Sequence, residues 1–83
     1  MMETRIVVYT MFNCHFCINL KKWMASHLIQ YEERNIIQNP EYEKEFHELN
    51  GTGLPLVIIQ TNGDEIKVAG FNQRKLEELL IKK

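Results

Sequence analysis

The chain has two cysteines, and they stand three residues apart in Cys14-His15-Phe16-Cys17. Thiols at this spacing support two chemistries. If a helix begins at the first, side chains at i and i+3 share a face, so the sulfurs come within bonding range and suit reversible thiol–disulfide exchange. Alternatively the pair supplies part of a metal site, and a structural zinc needs four ligands. Beyond the pair the candidates are His15, His27 and His47. His15 lies inside the motif and the other two stand alone, so a redox pair is the stronger reading. A purely structural disulfide closes too small a loop to gain much, because its entropic stabilisation grows with loop length.

The residues around the pair suggest how it is tuned. Asn13 is a good N-cap, which predicts Cys14 in the first helical turn. The partial positive charge there favours a thiolate at Cys14. An imidazolium at His15 beside the sulfur adds to that stabilisation and makes the couple more oxidising. Phe12 and Phe16 flank the cysteines; they serve either as an apolar rim for protein substrates or as ordinary packing, since exposed apolar patches often mark contact sites.

The elements that must position the pair are legible as hydrophobic patterns. Arg5–Thr10 is an apolar, β-branched strand of the kind buried on both faces. A helix is expected from Cys14 to about Leu28, with Cys17, Leu20, Met24 and Leu28 on one stripe widened by Phe16 and Trp23. His27 falls at its C-terminal end, where the dipole favours it, and Lys21 and Lys22 on its solvated side. Tyr31 to about Ile36, with Glu32, Glu33 and Arg34, suits an edge strand. Asn39-Pro40-Glu41 starts a second helix and Asn50-Gly51 stops it; Tyr42, Phe46 and Leu49 form its buried stripe, and His47 is solvated. Leu56–Ile59 is another apolar strand. Asn62-Gly63 then predicts a tight hairpin into Glu65–Ala69. Asn72 caps a last helix with Leu76, Leu79 and Leu80 on its apolar face and Lys82-Lys83 at its C-terminal dipole. The order β-α-β-α-β-β-α predicts an α/β domain, a four-stranded mixed sheet flanked by three helices.

Composition narrows the classes. With 83 residues the chain is expected to be one domain, spanning residues 1–83. Ten Lys and Arg against eleven Asp and Glu give a formal charge of −1, which offers no electrostatic footprint for nucleic acid. No stretch approaches the roughly 18 apolar residues of a membrane span. Met1-Met2-Glu3-Thr4-Arg5 carries no apolar core like that of a signal peptide, so a cytoplasmic protein is expected. In that reducing compartment a lone Cys pair is catalytic or metal-binding rather than a staple.

The element order, with Cys14-His15-Phe16-Cys17 at the first strand–helix junction, resembles the thioredoxin fold. Gly53-Leu54-Pro55 before a strand is similar to the cis-proline segment of the glutaredoxin branch. Gly70-Phe71 followed by Lys75-Leu76 resembles the glutaredoxin-like redoxins of the NrdH type, which donate electrons to ribonucleotide reductase. The resemblance covers essentially the whole chain. It implies a dithiol oxidoreductase with Cys14 as nucleophile and Cys17 as resolving thiol. It also implies a cis Pro55, with Leu54, Pro55, Gly70 and Phe71 beside Phe12 and Phe16 in the substrate groove. No tightly bound cofactor or metal is implied. The partners it implies are a disulfide-containing protein, ribonucleotide reductase among them, and glutathione or a flavoprotein such as thioredoxin reductase as external reductant, acting on a monomer. The chain departs from classical glutaredoxins at three places. His15-Phe16 replaces Pro-Tyr, Met11 stands where a glutathione-binding Lys is usual, and Ala69-Gly70-Phe71-Asn72 replaces the double glycine and acid. Gln73-Arg74 also replaces the Pro-Asp usual before Lys-Leu in the NrdH type. The rival to catalysis is a redox-sensing or metal-binding module on the same fold.

Overall fold

The computed structural model describes residues 4–81. Its elements run β1 (Thr4–Thr10), α1 (His15–Ser26), β2 (Glu32–Asn35), α2 (Pro40–Glu48), β3 (Leu56–Thr61), β4 (Asp64–Ala69) and α3 (Gln73–Leu80). The strands form one sheet in the order β2-β1-β3-β4. β1 pairs parallel with β2 and antiparallel with β3, and β3 pairs antiparallel with β4. The expected element order, mixed sheet and edge position of the charged strand are all present.

The two central strands explain the layers. Side chains alternate across a strand, and both faces of β1 and β3 are covered. Ile6 and Val8 join Val57, Ile59, Val68, Leu20, Trp23, Met24 and Leu76 under α1 and α3. Val7 and Tyr9 join Leu56, Ile58 and Phe46 under α2. Hence the unbroken apolar runs, which a one-sided sheet would have interrupted with polar residues.

Local signals account for most boundaries. Asn39 caps α2 by accepting from the Glu41 N–H at 2.9 Å, with Pro40 at the first helical position. Asn72 caps α3 by accepting from the Lys75 N–H at 3.1 Å. Asn62 and Gly63, with φ of 50° and 83°, turn the β3–β4 hairpin in the left-handed conformation that its tight geometry requires.

Four expectations are corrected. The cap of α1 is Cys14, not Asn13, because Asn13 takes a left-handed φ of 59° and the helix begins at His15. Leu28 is not on the buried stripe. The helix ends at Ser26, and Leu28 lies beyond the cap at φ 56° and 89 % exposed. Phe16 does not widen the core stripe; it points out of the first turn and is 62 % exposed, whereas Trp23 is buried. Leu79 stands at the margin of α3, exposed, while Leu76 and Leu80 carry the packing. Lys82-Lys83 lies outside the described residues.

Candidate active site

The register places the three sequence motifs at one end of the sheet. β1 runs into the cysteine loop at Thr10. Tyr9 pairs with Leu56, and Leu56 pairs with Ala69. Pro55 and Gly70, the next residues outward on β3 and β4, therefore lie at the same edge as the loop. They are also tied to each other, since the Gly70 N–H donates to the Pro55 carbonyl at 2.7 Å. The Leu54–Pro55 peptide is cis, as the resemblance implied, and Gly70 adopts φ 75°, a conformation that favours glycine.

Cys14 and Cys17 are joined as a disulfide with Cα atoms 5.1 Å apart. Cys14 is extended at φ −94° and ψ 110°, and its carbonyl accepts the first helical hydrogen bond, from Ile18 N–H at 3.0 Å. Its sulfur accepts from the Cys17 N–H at 3.2 Å, so the thiol side chain does the work of a capping oxygen. No acidic residue occupies the first turn of α1 to neutralise the helix N-terminus. Negative charge on the Cys14 sulfur is favoured by both features. The two sulfurs differ in access, because Cys14 is half-buried and Cys17 is 1 % exposed.

Around the pair the surface is apolar and open. Met11, Phe12 and Phe16 are exposed, and His15 is exposed at the first position of α1. Phe71 behaves differently from Phe12 and Phe16. It is half-buried, its ring edge-on to Trp23 at 6.4 Å, and belongs to the margin of the core. Two hollows lie elsewhere on the surface. One of about 400 Å³ sits by the Asn62-Gly63 hairpin, and one of about 250 Å³ lies between the sheet and α2.

The other histidines have local roles. His27 caps the C-terminus of α1, its Nδ1 lying 3.0 Å from the Trp23 carbonyl, and His47 is exposed on α2. Among the described residues no cluster of three or more His, Cys, Asp or Glu side chains is arranged to hold a metal ion.

Sequence reasoning missed a polar cluster that joins β1, α1 and β2. Thr10 is fully buried and donates its hydroxyl to Glu33 Oε2 at 2.8 Å. Lys21 Nζ donates to the same oxygen at 3.1 Å, so this lysine is paired rather than simply solvated. The only signal for it was the run of charges in β2, which had been accounted for by the edge position alone.

Comparisons with known proteins agree with this geometry. Residues 6–66 match the family model for glutaredoxin. The glutaredoxin-like protein NrdH of Lactococcus lactis is 30 % identical over 74 residues, which is 89 % of this chain and 97 % of that protein. The NrdH-redoxin of Escherichia coli, a glutaredoxin-like protein described as having a thioredoxin-like activity profile, superposes with a TM-score of 0.76 at 28 % identity, covering 90 % of this chain and 93 % of that one. A glutaredoxin from Methanosarcina mazei shares the fold with a TM-score of 0.77 at 20 % identity, over 93 % of this chain and 78 % of its own length.

Proposed function

The chain belongs to the glutaredoxin family and is a thiol–disulfide oxidoreductase; from that premise we propose a dithiol cycle in which Cys14 is the nucleophile and Cys17 the resolving thiol. The observation that carries this assignment is the asymmetry of the pair: Cys14 is the reachable sulfur and sits at the helix cap, and Cys17 is buried one turn behind it. The Cys14 thiolate attacks one sulfur of a substrate disulfide. The other substrate sulfur leaves as a thiolate and takes up a proton, and a mixed disulfide remains. Cys17 then gives up its proton and attacks the Cys14 sulfur, which releases the second substrate thiol. The substrate has gained two electrons, and the chain ends with the Cys14–Cys17 disulfide.

Phe12 and Phe16 form the exposed part of the proposed substrate rim, with His15 tuning the sulfur; Leu54, Pro55, Gly70 and Phe71 offer it chiefly backbone at the same end of the sheet, because Pro55 is fully buried and Leu54 and Phe71 pack against the two cores. Exposed aromatics beside the pair, and hollows that lie away from it, suit the disulfide of a protein better than a small ligand held in a pocket. Asn72, where classical glutaredoxins place an acid, is committed to capping α3. Met11, where they place a lysine, is an exposed thioether. Together with the described activity profile of the E. coli relative, these residues favour a flavoprotein of the thioredoxin reductase class over glutathione as reductant. Ribonucleotide reductase is the candidate substrate, and a cytoplasmic monomer is the form in which the chain acts. The test is parallel reduction of the oxidised chain by glutathione with its reductase and by thioredoxin reductase. Turnover in the second arm alone is the expected result; robust turnover in the first alone overturns the choice of reductant. Cys14→Ser abolishes turnover in either arm, and full activity of Cys17→Ser on protein disulfides would remove its resolving role.

A further inference from the structure

Three elements meet on one carboxylate behind the redox pair. Thr10 ends β1 and precedes Cys14 by four residues; Lys21 follows Cys17 by four on α1; Glu33 comes from the edge strand β2. Thr10 Oγ1 and Lys21 Nζ both donate to Glu33 Oε2, at 2.8 and 3.1 Å. Pairing of Val8 with Glu33 sets the carboxylate on the α1 side of the sheet, the side of Val8 and Leu20. Side chains four apart on a helix have Cβ atoms about 5–6 Å apart, so Lys21 leaves α1 from the same face as Cys17, one turn further on. The two charges are felt by a neighbouring group as well: the Tyr31 phenol is pushed up first by burial and then by Glu33, and drawn down by Lys21.

We propose that Lys21 and Glu33 are positioning residues for the redox couple: the Thr10 hydroxyl holds the carboxylate behind the motif, and Lys21 neutralises it there, so that the thiolate of the reduced pair is not opposed. The proposal rests on the dithiol reading above. The balance is simple. Reduced dithiothreitol loses two electrons and two protons and closes to its cyclic disulfide. The Cys14–Cys17 bond accepts the electrons; one sulfur keeps a proton, the other remains a thiolate, and one proton is released. Negative charge near the thiolate destabilises only the reduced side, and a lower population of that side means a more reducing couple.

The sign separates this role from a structural one. In a dithiothreitol redox buffer at mildly alkaline pH, with the reduced fraction read by alkylation gel shift, Lys21→Met leaves the carboxylate uncompensated and makes the couple more reducing. Glu33→Gln keeps an acceptor for Thr10, removes the negative charge and makes the couple more oxidising. Each shift is about two- to fivefold in the equilibrium constant, the range of a partly exposed ion pair, or ~10–20 mV at about 30 mV per tenfold. Lys21→Arg retains the wild-type constant. Shifts of opposite sign support the proposal; no shift, or shifts of the same sign in the two variants, overturns it. A wild-type pair that never equilibrates with dithiothreitol overturns the dithiol reading and this proposal with it, whereas an equilibrating wild type with unshifted variants overturns this proposal alone.

Discussion

At the scale of single residues, the cysteine pair was legible because its chemistry depends on residue type and spacing, and both are written in the chain. The cap was not. Asn13 has the better capping side chain, yet it sits in the left-handed region at φ 59° and the Cys14 sulfur accepts the helix N–H instead. Asparagine tolerates both roles, so its type alone could not say which it would take. The consequence favours chemistry, since the proposed nucleophile is placed at the cap itself. His15 adjoins it on the exposed first position of α1. We propose that the His15 side chain stabilises the thiolate, so that His15→Ala removes this support. The expected outcome is a Cys14 alkylation-rate profile displaced to higher pH, and a couple more reducing than wild type. Superimposable profiles for the two proteins would remove His15 from the site.

The element scale shows why some boundaries could be read and one could not. α2 and α1 end in the same hydrogen-bond pattern. Gly51 N–H donates to the Phe46 carbonyl and Asn50 N–H to that of His47; likewise Ile29 N–H donates to Met24 and Leu28 N–H to Ala25. In both the residue after the cap is left-handed, Asn50 at φ 59° and Leu28 at φ 56°. Asparagine announces such a stop, and so does the glycine after it, where a Cβ would fall onto the Phe46 ring. Leucine announces the opposite, because it extends the helical stripe by one more turn. Local sequence therefore predicted a longer helix, and closure of the chain onto β2 overrode it. A leucine at positive φ costs on the order of 1–2 kcal/mol, and Leu28 is 89 % exposed, so its side chain returns little. Leu28→Asn is expected to stabilise the fold by ~0.5–1 kcal/mol, since asparagine visits this conformation more readily. Urea unfolding checks it: the midpoint rises with the slope unchanged. A lower midpoint would mean that Leu28 contributes packing its exposure does not reveal.

For the whole molecule, topology was readable because β1 and β3 carry unbroken apolar runs, Ile6–Tyr9 and Leu56–Ile59, which fixes them at the centre of a sheet covered on both faces. What could not be read is a polar network joining elements distant in sequence. Tyr9 of β1 donates its hydroxyl to Glu45 of α2 at 3.0 Å and accepts from Arg34 of β2 at 3.2 Å, while Arg34 also donates to Glu45 and to Glu32 at 2.7 Å each. Tyr9 looked like one more apolar strand residue, yet its phenol ties β1, β2 and α2 together. That makes the fold sensitive to alkali. Burial, foremost, and then Glu45 push the Tyr9 phenol above its ordinary value, against a lowering by Arg34. A group whose pKa is raised in the folded state stabilises fully below its unfolded value, about 10 for tyrosine. That contribution is lost as pH rises from there through the folded value. Stability should therefore hold steady to about pH 9 and fall above about pH 10, each such phenol adding at most ~1.4 kcal/mol per pH unit to the slope. Tyr31, also raised, by burial first, contributes in the same direction. Tyr9→Phe loses hydrogen bonds worth roughly 0.5–1.5 kcal/mol at neutral pH, yet it removes one proton from the linkage, so its stability declines less steeply in alkali and the gap to wild type narrows. Urea midpoints at neutral and strongly alkaline pH measure that gap directly. A gap that stays constant across the range would show that the Tyr9 proton is not linked to folding.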